Sequence, residues 1–403
     1  MKKINLEKKI KQAETGIRKY LDEALKEGRI DEALFEKARV TAVENLKQWL
    51  NDKNIDKISP QAKTGICLAI NGKQWEQLVN AFRQKMTFGT GGIRGLMAYD
   101  KAAIIKLKKE GIDAPILKGP NTLNNIVLLT VSAGVAKFGI DKGFKKIVIG
   151  YDSRIRGFDF AKKIAELFLG YGYTVYLFDE PCPYPEVTFA IPYKDIKAQL
   201  GILISASHND YRYNGYKLSC GNGSQFDPEE RDEMYNKYIN EATTDDVARQ
   251  LMPLQKAPRE KLIFLGGEKR VRGFYYGNHK LIDIHKEHRE HIKGFLIFNR
   301  QESKAGNLQI GYCAYHGAGR VAVPRLLKET GFEKIRVINE NNLSKLDGLF
   351  PSFNSAPGKE QQPDPGDPRA AEVAVRAFKK EYGQEWDKLD ILIGTDPDAD
   401  RCG

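Results

Sequence analysis

The sequence predicts an α/β protein: two consecutive α/β domains with mixed or parallel sheets, preceded by a helical N-terminal segment. Three observations predict it. Apolar positions in residues 1–50 recur at helical spacing among charges; beyond about residue 120, strand and helix patterns alternate; and several strands are short apolar runs that end in polar tips. Such alternation places helices on both faces of a sheet.

In order along the chain, Ile10, Ala13, Ile17, Tyr20 and Leu21 mark residues 1–50 as helix. The span 51–100 carries a helix around "GKQWEQLVNAFRQKM" and then a glycine-dense loop, "TFGTGGIRGLM". Next come a helix ("NNIVLLTVSAGVAKFG"), a strand ("KKIVIGYDSR"), a helix ("FDFAKKIAELFLGYG"), a strand ("YTVYLFDE"), a short helix ("PEVTFAIPYK") and a strand ("AQLGILIS"). Charges and helical spacing dominate 225–300, a helical connection whose first strong strand is "KLIFLGG". A second unit begins at "NLQIGYCAYHGAG" and continues through the helix "VAVPRLLKETG", the strand "KIRVINE", a Pro/Gly-rich surface loop, a helix over 369–382 and the strand "KLDILIGT". The expected organisation is a helical extension over 1–50, a first domain over 51–245, and a helical connection with a second domain over 246–403. A domain rarely finishes on a charged strand tip, so the sequence reads as the N-terminal part of a longer protein.

The chain has 403 residues and a formal charge of +11. It shows neither a long basic block nor basic residues interleaved with aromatics, so anionic metabolites are the expected partners rather than nucleic acid. No apolar run approaches the roughly 20 residues that span a bilayer, and no apolar stretch follows the basic "MKKINLEKKIKQ" as in a secretory signal. No membrane partner is expected. Five scattered cysteines without a CxxC pair fit a reducing cytoplasm.

In a mostly parallel sheet, functional groups gather at the carboxyl ends of strands. Three tips are unusually polar: "GYDSR" (150–154), "SASHND" (205–210) and "GTDPDADR" (394–401). In the last, Asp396, Asp398 and Asp400 alternate with Pro397 and Ala399. Extended backbone would turn all three carboxylates to one side, a hard oxygen set suited to Mg²⁺. A calcium loop of the EF-hand type needs glycine at its sixth position, where Arg401 stands. Without a cation the three carboxylates would repel one another.

Ser207 and His208 are neighbours, so extended backbone would point them apart. That argues against a serine-hydrolase pair, and no Gly-x-Ser-x-Gly elbow is present. A serine carrying a phosphoryl group accounts better for the surroundings: its oxygens complete an Mg²⁺ site, while His208 and arginines stabilise developing charge. Lys217, ten residues on, is an acid/base candidate if the closed site lowers its pKa. The stretch "FGTGGIRG" (88–95) reads either as a purely structural turn or as a close backbone approach to a phosphate, with Arg94 as a fork-shaped donor, and it lacks the Gly-Lys-Ser/Thr ending of a P-loop. His285, His288 and His291 in "HKEHREH" read as a solvated helix face, and His316 as a turn after a strand.

"FGTGGIRG", "SASHND" and "GTDPDADR", in that order, closely resemble the glycine, serine and metal loops of the α-D-phosphohexomutases, in their phosphoglucomutase/phosphomannomutase branch. The family's serine loop usually reads Thr-Ala-Ser-His-Asn-Pro and is followed by Asn-Gly-x-Lys, here Asn214 to Lys217. The resemblance runs from about residue 50 to the end. It implies two phosphohexomutase-type domains and an intramolecular phosphotransferase that interconverts hexose 1- and 6-phosphates, of glucose or mannose, through a bisphosphorylated sugar. The "YNGYK" form leaves phosphopentose open. By resemblance, Ser207 is the phosphorylated residue, and Asp396, Asp398 and Asp400 hold Mg²⁺ with its phosphate. Arg401, Arg94 and His208 line the phosphoserine, Lys217 is the acid/base, and Asn209 belongs to the phosphate-binding surroundings, as does Arg154, which the resemblance of "GYDSR" to the family's Gly-x-Asp-x-Arg strand end makes either structural or near the site. Asp210 replaces the family's proline, and the family's third-domain sugar loop and fourth-domain phosphate loop have no counterpart in this sequence. The alternative reading is a non-catalytic phosphoprotein or binding remnant of the family.

Overall fold

The computed structural model describes residues 5–89, 91–266, 279–297 and 304–403. Thr90 of the glycine stretch, and residues 267–278 and 298–303 of the expected helical connection, lie outside the described residues, as do 1–4.

The N-terminal stretch is two helices rather than one. Asn5 caps α1 (Leu6–Lys26) and Asp31 caps α2 (Glu32–Asn51), each carboxyl or amide oxygen accepting a first-turn N–H. Such caps are worth about 1 kcal/mol each. Between them Gly28 adopts φ +69°, a left-handed conformation that ends the first helix at no steric cost to glycine. The bundle continues through α3 (Lys53–Ile58), α4 (Ala62–Asn71) and α5 (Trp75–Phe82). Ile17, Leu21, Leu46, Leu50, Ile70 and Phe82 share one buried cluster, so the apolar stripes of these helices face one another.

Among the described residues the first sheet has seven strands: β1 (Gly92–Leu96), β2 (Lys146–Tyr151), β3 (Thr174–Phe178), β4 (Leu200–Ile204), β5 (Tyr213–Cys220), β6 (Leu262–Gly266) and β7 (Leu281–Asp283). Their order is β1-β5-β4-β2-β3-β6-β7. β4, β2, β3, β6 and β7 run parallel, whereas β5 pairs antiparallel with both β4 and β1. The sheet is therefore mixed. The central strands are apolar on both faces, with Ile147, Val148, Ile149, Ile202, Leu203 and Ile204 essentially inaccessible. After α6 (Lys101–Glu110), the helices α7 (Asn125–Asp141) and α8 (Gly157–Gly170) pack on each other. α7 is buried along most of its length, as its continuous apolar run requires.

Both antiparallel strands fall where the sequence reads as loop. β5 carries Asn214, Gly215 and Lys217, and β1 lies inside the glycine stretch. Polar and glycine-rich strands give no alternating apolar signal; β5 is held extended by partners on both sides, and β1, at the sheet edge, by β5 alone.

The short helix α9 (Tyr184–Ala190) follows β3, and α10 (Pro228–Met234), α11 (Thr244–Gln250) and α12 (Ile284–Lys293) follow β5. Of the three histidines of α12 only His291 is exposed as expected; His285 and His288 are drawn inward. α12 packs on α9, so His285 and His288 meet the buried Glu186, with His285 Nδ1 2.5 Å from its Oε2, and His291 stacks on Phe189 at 4.9 Å.

The second sheet is parallel, ordered β10-β8-β9, from β8 (Gln309–Cys313), β9 (Lys334–Val337) and β10 (Ile391–Gly394). It is joined by α13 (Gly319–Glu329) and α14 (Pro368–Tyr382). The Pro/Gly-rich loop between β9 and α14 folds back toward the first sheet, where Gly348 bridges Arg154.

Candidate active site

Two strand tips from different sheets meet. The turn after β4 carries Ser205 to Asp210, and the turn after β10 carries Asp396 to Arg401. Ser207 Oγ donates to Asp396 Oδ2 at 2.7 Å, Ser205 Oγ donates to Asp398 Oδ2 at 2.6 Å, and Tyr184 N–H donates to the Asp398 carbonyl at 2.8 Å. One ligand oxygen from each of Asp396, Asp398 and Asp400 lies within 4.8 Å of the others.

The clustering expected from sequence is present, but extended backbone is not its cause. Residues 397–400 form a turn with Ala399 at φ +50°, and the turn rather than a period of two gathers the carboxylates. Ser207 likewise sits at φ +53°. The chain there is left-handed, so Ser207 and His208 do not point apart: His208 Nδ1 is 3.3 Å from Ser207 Oγ.

The electrostatics call for a cation. Burial, then the charge of Asp398, pushes the Asp396 carboxyl up to about 8. Asp400 is raised by the same two causes. Burial opposes ionisation of Asp398 as well, but the Lys217 ammonium holds its carboxyl below the usual range. Three carboxylates this close repel one another; Lys217 offsets Asp398 and Asp400, while Asp396 has only the Arg401 Nε at 3.5 Å. Asp398 Oδ1 is also buried with no hydrogen-bond partner, an acceptor left unsatisfied. Hard, partly unsatisfied oxygens from one turn fit a divalent cation.

Lys217 reaches the cluster from β5, its Nζ 2.7 Å from Asp398 Oδ2 and 2.6 Å from Asp400 Oδ2, over the ring of Tyr184 at 4.4 Å. The sequence reading needed a lowered pKa here. Burial does push it down, but the two carboxylates outweigh burial and raise it. Arg401 directs Nη2 toward Ser207 Oγ at 3.4 Å. Arg94, on β1, is exposed and close enough to Asp400 and Arg401 for its charge to act on both.

Arg154 is not placed to bind substrate phosphate. Its side chain is fully buried and donates to the carbonyls of Ser207 (2.6 Å), Asn209 (2.5 Å), Asp210 (2.8 Å) and Tyr213 (2.9 Å). It shapes the serine turn from beneath. Asn209 lies in that turn, its N–H donated to the Ala206 carbonyl at 3.1 Å. Asp210 is not a free charge either, because Arg212 grips it through two contacts of 2.9 Å. His316 is buried at the turn after β8, as expected, and its ring nitrogens meet the Lys345 carbonyl and Ser352 Oγ.

Sequence reasoning did not single out Ser205, which accepts the Ser207 N–H at 2.8 Å while bonding Asp398. The spacing Ser-x-Ser at one strand tip is the signal that could have found it. It also missed Glu360 and Asp364 on the Pro/Gly-rich loop.

Comparison with known proteins agrees with this geometry. The family model described as phosphoglucomutase/phosphomannomutase, alpha/beta/alpha domain I, matches residues 104–245, and the corresponding domain II matches 286–403. The chain belongs to the phosphoglucomutase/phosphomannomutase family. Within that family it is 29% identical over 323 residues to a phosphoglucomutase of Staphylococcus aureus strain N315, covering 80% of this chain and 48% of the relative. The chain thus spans about half the length of the curated relatives it matches. Among solved structures it resembles a putative phosphomannomutase from Thermus thermophilus, with TM-score 0.52, 21% identity, and coverage of 79% of this chain and 56% of the other. A phosphoglucomutase/phosphomannomutase family protein from Burkholderia thailandensis gives TM-score 0.51 and 18% identity over 78% of this chain and 53% of that one. These structures share the fold of the phosphohexomutase type: two α/β/α domains, here behind an N-terminal helical segment.

Proposed function

We propose that this chain supplies the phosphoserine and metal loops of a mutase that interconverts hexose 1-phosphate and hexose 6-phosphate, of glucose or mannose. One observation carries the reading: the Ser207 hydroxyl is hydrogen-bonded at 2.7 Å into a three-carboxylate cluster delivered by a second sheet. Ser205 bonds the same cluster, but only Ser207 Oγ also has the His208 and Arg401 nitrogens beside it, at 3.3 and 3.4 Å.

Asp396, Asp398 and Asp400 would hold Mg²⁺ together with an oxygen on Ser207. The ion, when bound, supplies neutralisation of charge on a phosphoryl group carried by that serine. Arg401 and His208 flank Ser207 Oγ and stabilise the equatorial oxygens as the phosphoryl group moves. The P–O bond to Ser207 breaks as a sugar hydroxyl forms its own, giving a bisphosphate; the phosphoryl group at the other sugar position then returns to Ser207. Lys217 can take the hydroxyl proton only after its ammonium leaves Asp398 and Asp400 and becomes neutral. Arg94 stands on the open side as a donor to substrate phosphate.

The test is Ser207→Ala in the full-length protein. Conversion of glucose 1-phosphate or mannose 1-phosphate to the 6-phosphate is expected to vanish, and intact-mass measurement of the wild type should find one phosphate on Ser207. Retained turnover in the variant removes the mechanism. A phosphate on Ser207 with no turnover on hexose or pentose 1-phosphates would favour the non-catalytic phosphoprotein instead.

A further inference from the structure

We propose that Asp364, on the Pro/Gly-rich loop of the second unit, is a positioning residue that sets His208 and Arg401 against the Ser207 hydroxyl. Its Oδ2 lies 3.8 Å from His208 Nε2 and its Oδ1 lies 3.5 Å from Arg401 Nη1. Each of those two groups presents another nitrogen to Ser207 Oγ, at 3.3 and 3.4 Å. One carboxylate therefore reaches both the imidazole and the guanidinium that flank the reacting oxygen, through the nitrogens turned away from it. The assignment rests on the phosphoserine reading above.

The loop is built to hold such a group. Buried Pro363 and Pro365 flank Asp364, which removes backbone freedom on both sides. Asp364 Oδ1 accepts the Gly366 N–H at 3.0 Å. Four residues upstream Glu360 binds Arg212 at 2.6 Å, and Arg212 in turn grips Asp210 at the end of the serine turn. Loop and turn are thus clasped at two points, Asp364 to His208 and Glu360 to Arg212. A carboxylate beside a phosphoryl site would repel it, so its place is intelligible behind the Arg401 guanidinium and the His208 ring, whose orientation it fixes. The long Arg401 side chain would otherwise sample many rotamers, and a misplacement of about 1 Å can cost roughly 100-fold in rate.

The experiment uses the full-length protein and two readouts: steady-state turnover of hexose 1-phosphate, and peptide-resolved reaction of His208 with diethyl pyrocarbonate. Asp364→Ala is expected to lower kcat by about 10- to 100-fold with KM essentially unchanged, and to speed modification of His208. Asp364→Asn keeps an acceptor oxygen and should recover most of the rate. Asp364→Ser, too short to reach either partner, replaces alanine if that variant does not fold. Unchanged kcat, a loss carried by KM, or asparagine as impaired as alanine overturns the proposal. Should wild type lack turnover, the function reading fails by itself; faster His208 modification in the variant would still support the placement, and an unchanged rate would overturn it.

Discussion

Glu186 and His285 show how far a residue's surroundings can reverse its ordinary chemistry. Burial opposes charge on both. It is outweighed for His285 by Glu186 and Glu180, which push the imidazole up to about 10, and for Glu186 by His285 and His288, which hold its carboxyl down to about 2. The histidine contribution is complete below its ordinary value of 6.5 and is lost as pH climbs toward 10; the glutamate contribution is complete above 4.5 and is lost as pH falls toward 2. The pair is strongest between those ordinary values. Thermal melts of wild type should show a midpoint that falls as pH rises from about 7 to about 10, and Glu186→Gln should show a smaller fall. An equal slope in the two proteins would deny the pair its role. None of this was legible in "HKEHREH", because a charged helix gives no sign that its partner is a carboxylate about a hundred residues away. Ser207, Asp396, Asp398 and Asp400 were legible, since their clustering follows from residue type and strand-tip position. Their true backbone, left-handed at Ser207 and Ala399, was not.

At the level of elements, β5 decides the site's geometry and is the strand least visible in sequence. It carries Lys217 to the acidic turn and sandwiches itself between β4 and β1. Gly215 permits the sandwich: a Cβ there would lie 2.3 Å from the Ser205 carbonyl oxygen and 2.8 Å from that of Ile93. Both obstacles are backbone and cannot swing aside. Gly215→Ala is expected to destabilise by about 1–3 kcal/mol or more and to lower the thermal midpoint. A variant as stable as wild type would mean that the three strands are less closely spaced. The β2, β3 and β4 strands were readable because buried parallel strands are continuous apolar runs. In β5 and β1, Asn214, Lys217, Gly92 and Gly95 hide the pattern, and only the neighbouring strands supply the reason to be extended.

Across the whole molecule, the acidic turn and the serine come from different sheets, so a cation bound there would tie the two units together. A ligand that binds only the folded form adds about 2.7 kcal/mol at 100 times its dissociation constant. Mg²⁺ is expected to raise the midpoint of unfolding of wild type, and Asp398→Ala, which removes the unsatisfied Oδ1, should abolish that rise. A rise that survives the substitution would place the ion elsewhere. The meeting of the sheets was anticipated only through the chemistry of the two tips; the clasping loop was not, because composition marks it merely as irregular. Arg154 adds a further tie. It holds the serine turn by three carbonyls and the start of β5 by a fourth, while its backbone bridges Gly348 and its guanidinium lies over Phe350 at 5.1 Å. That seam behaves as a rivet. With the two units pinned at their junction, any motion that drew the acidic turn away from the serine would first have to break the Gly348 bridge or the bonds that Arg154 makes to the Ser207, Asn209 and Asp210 carbonyls.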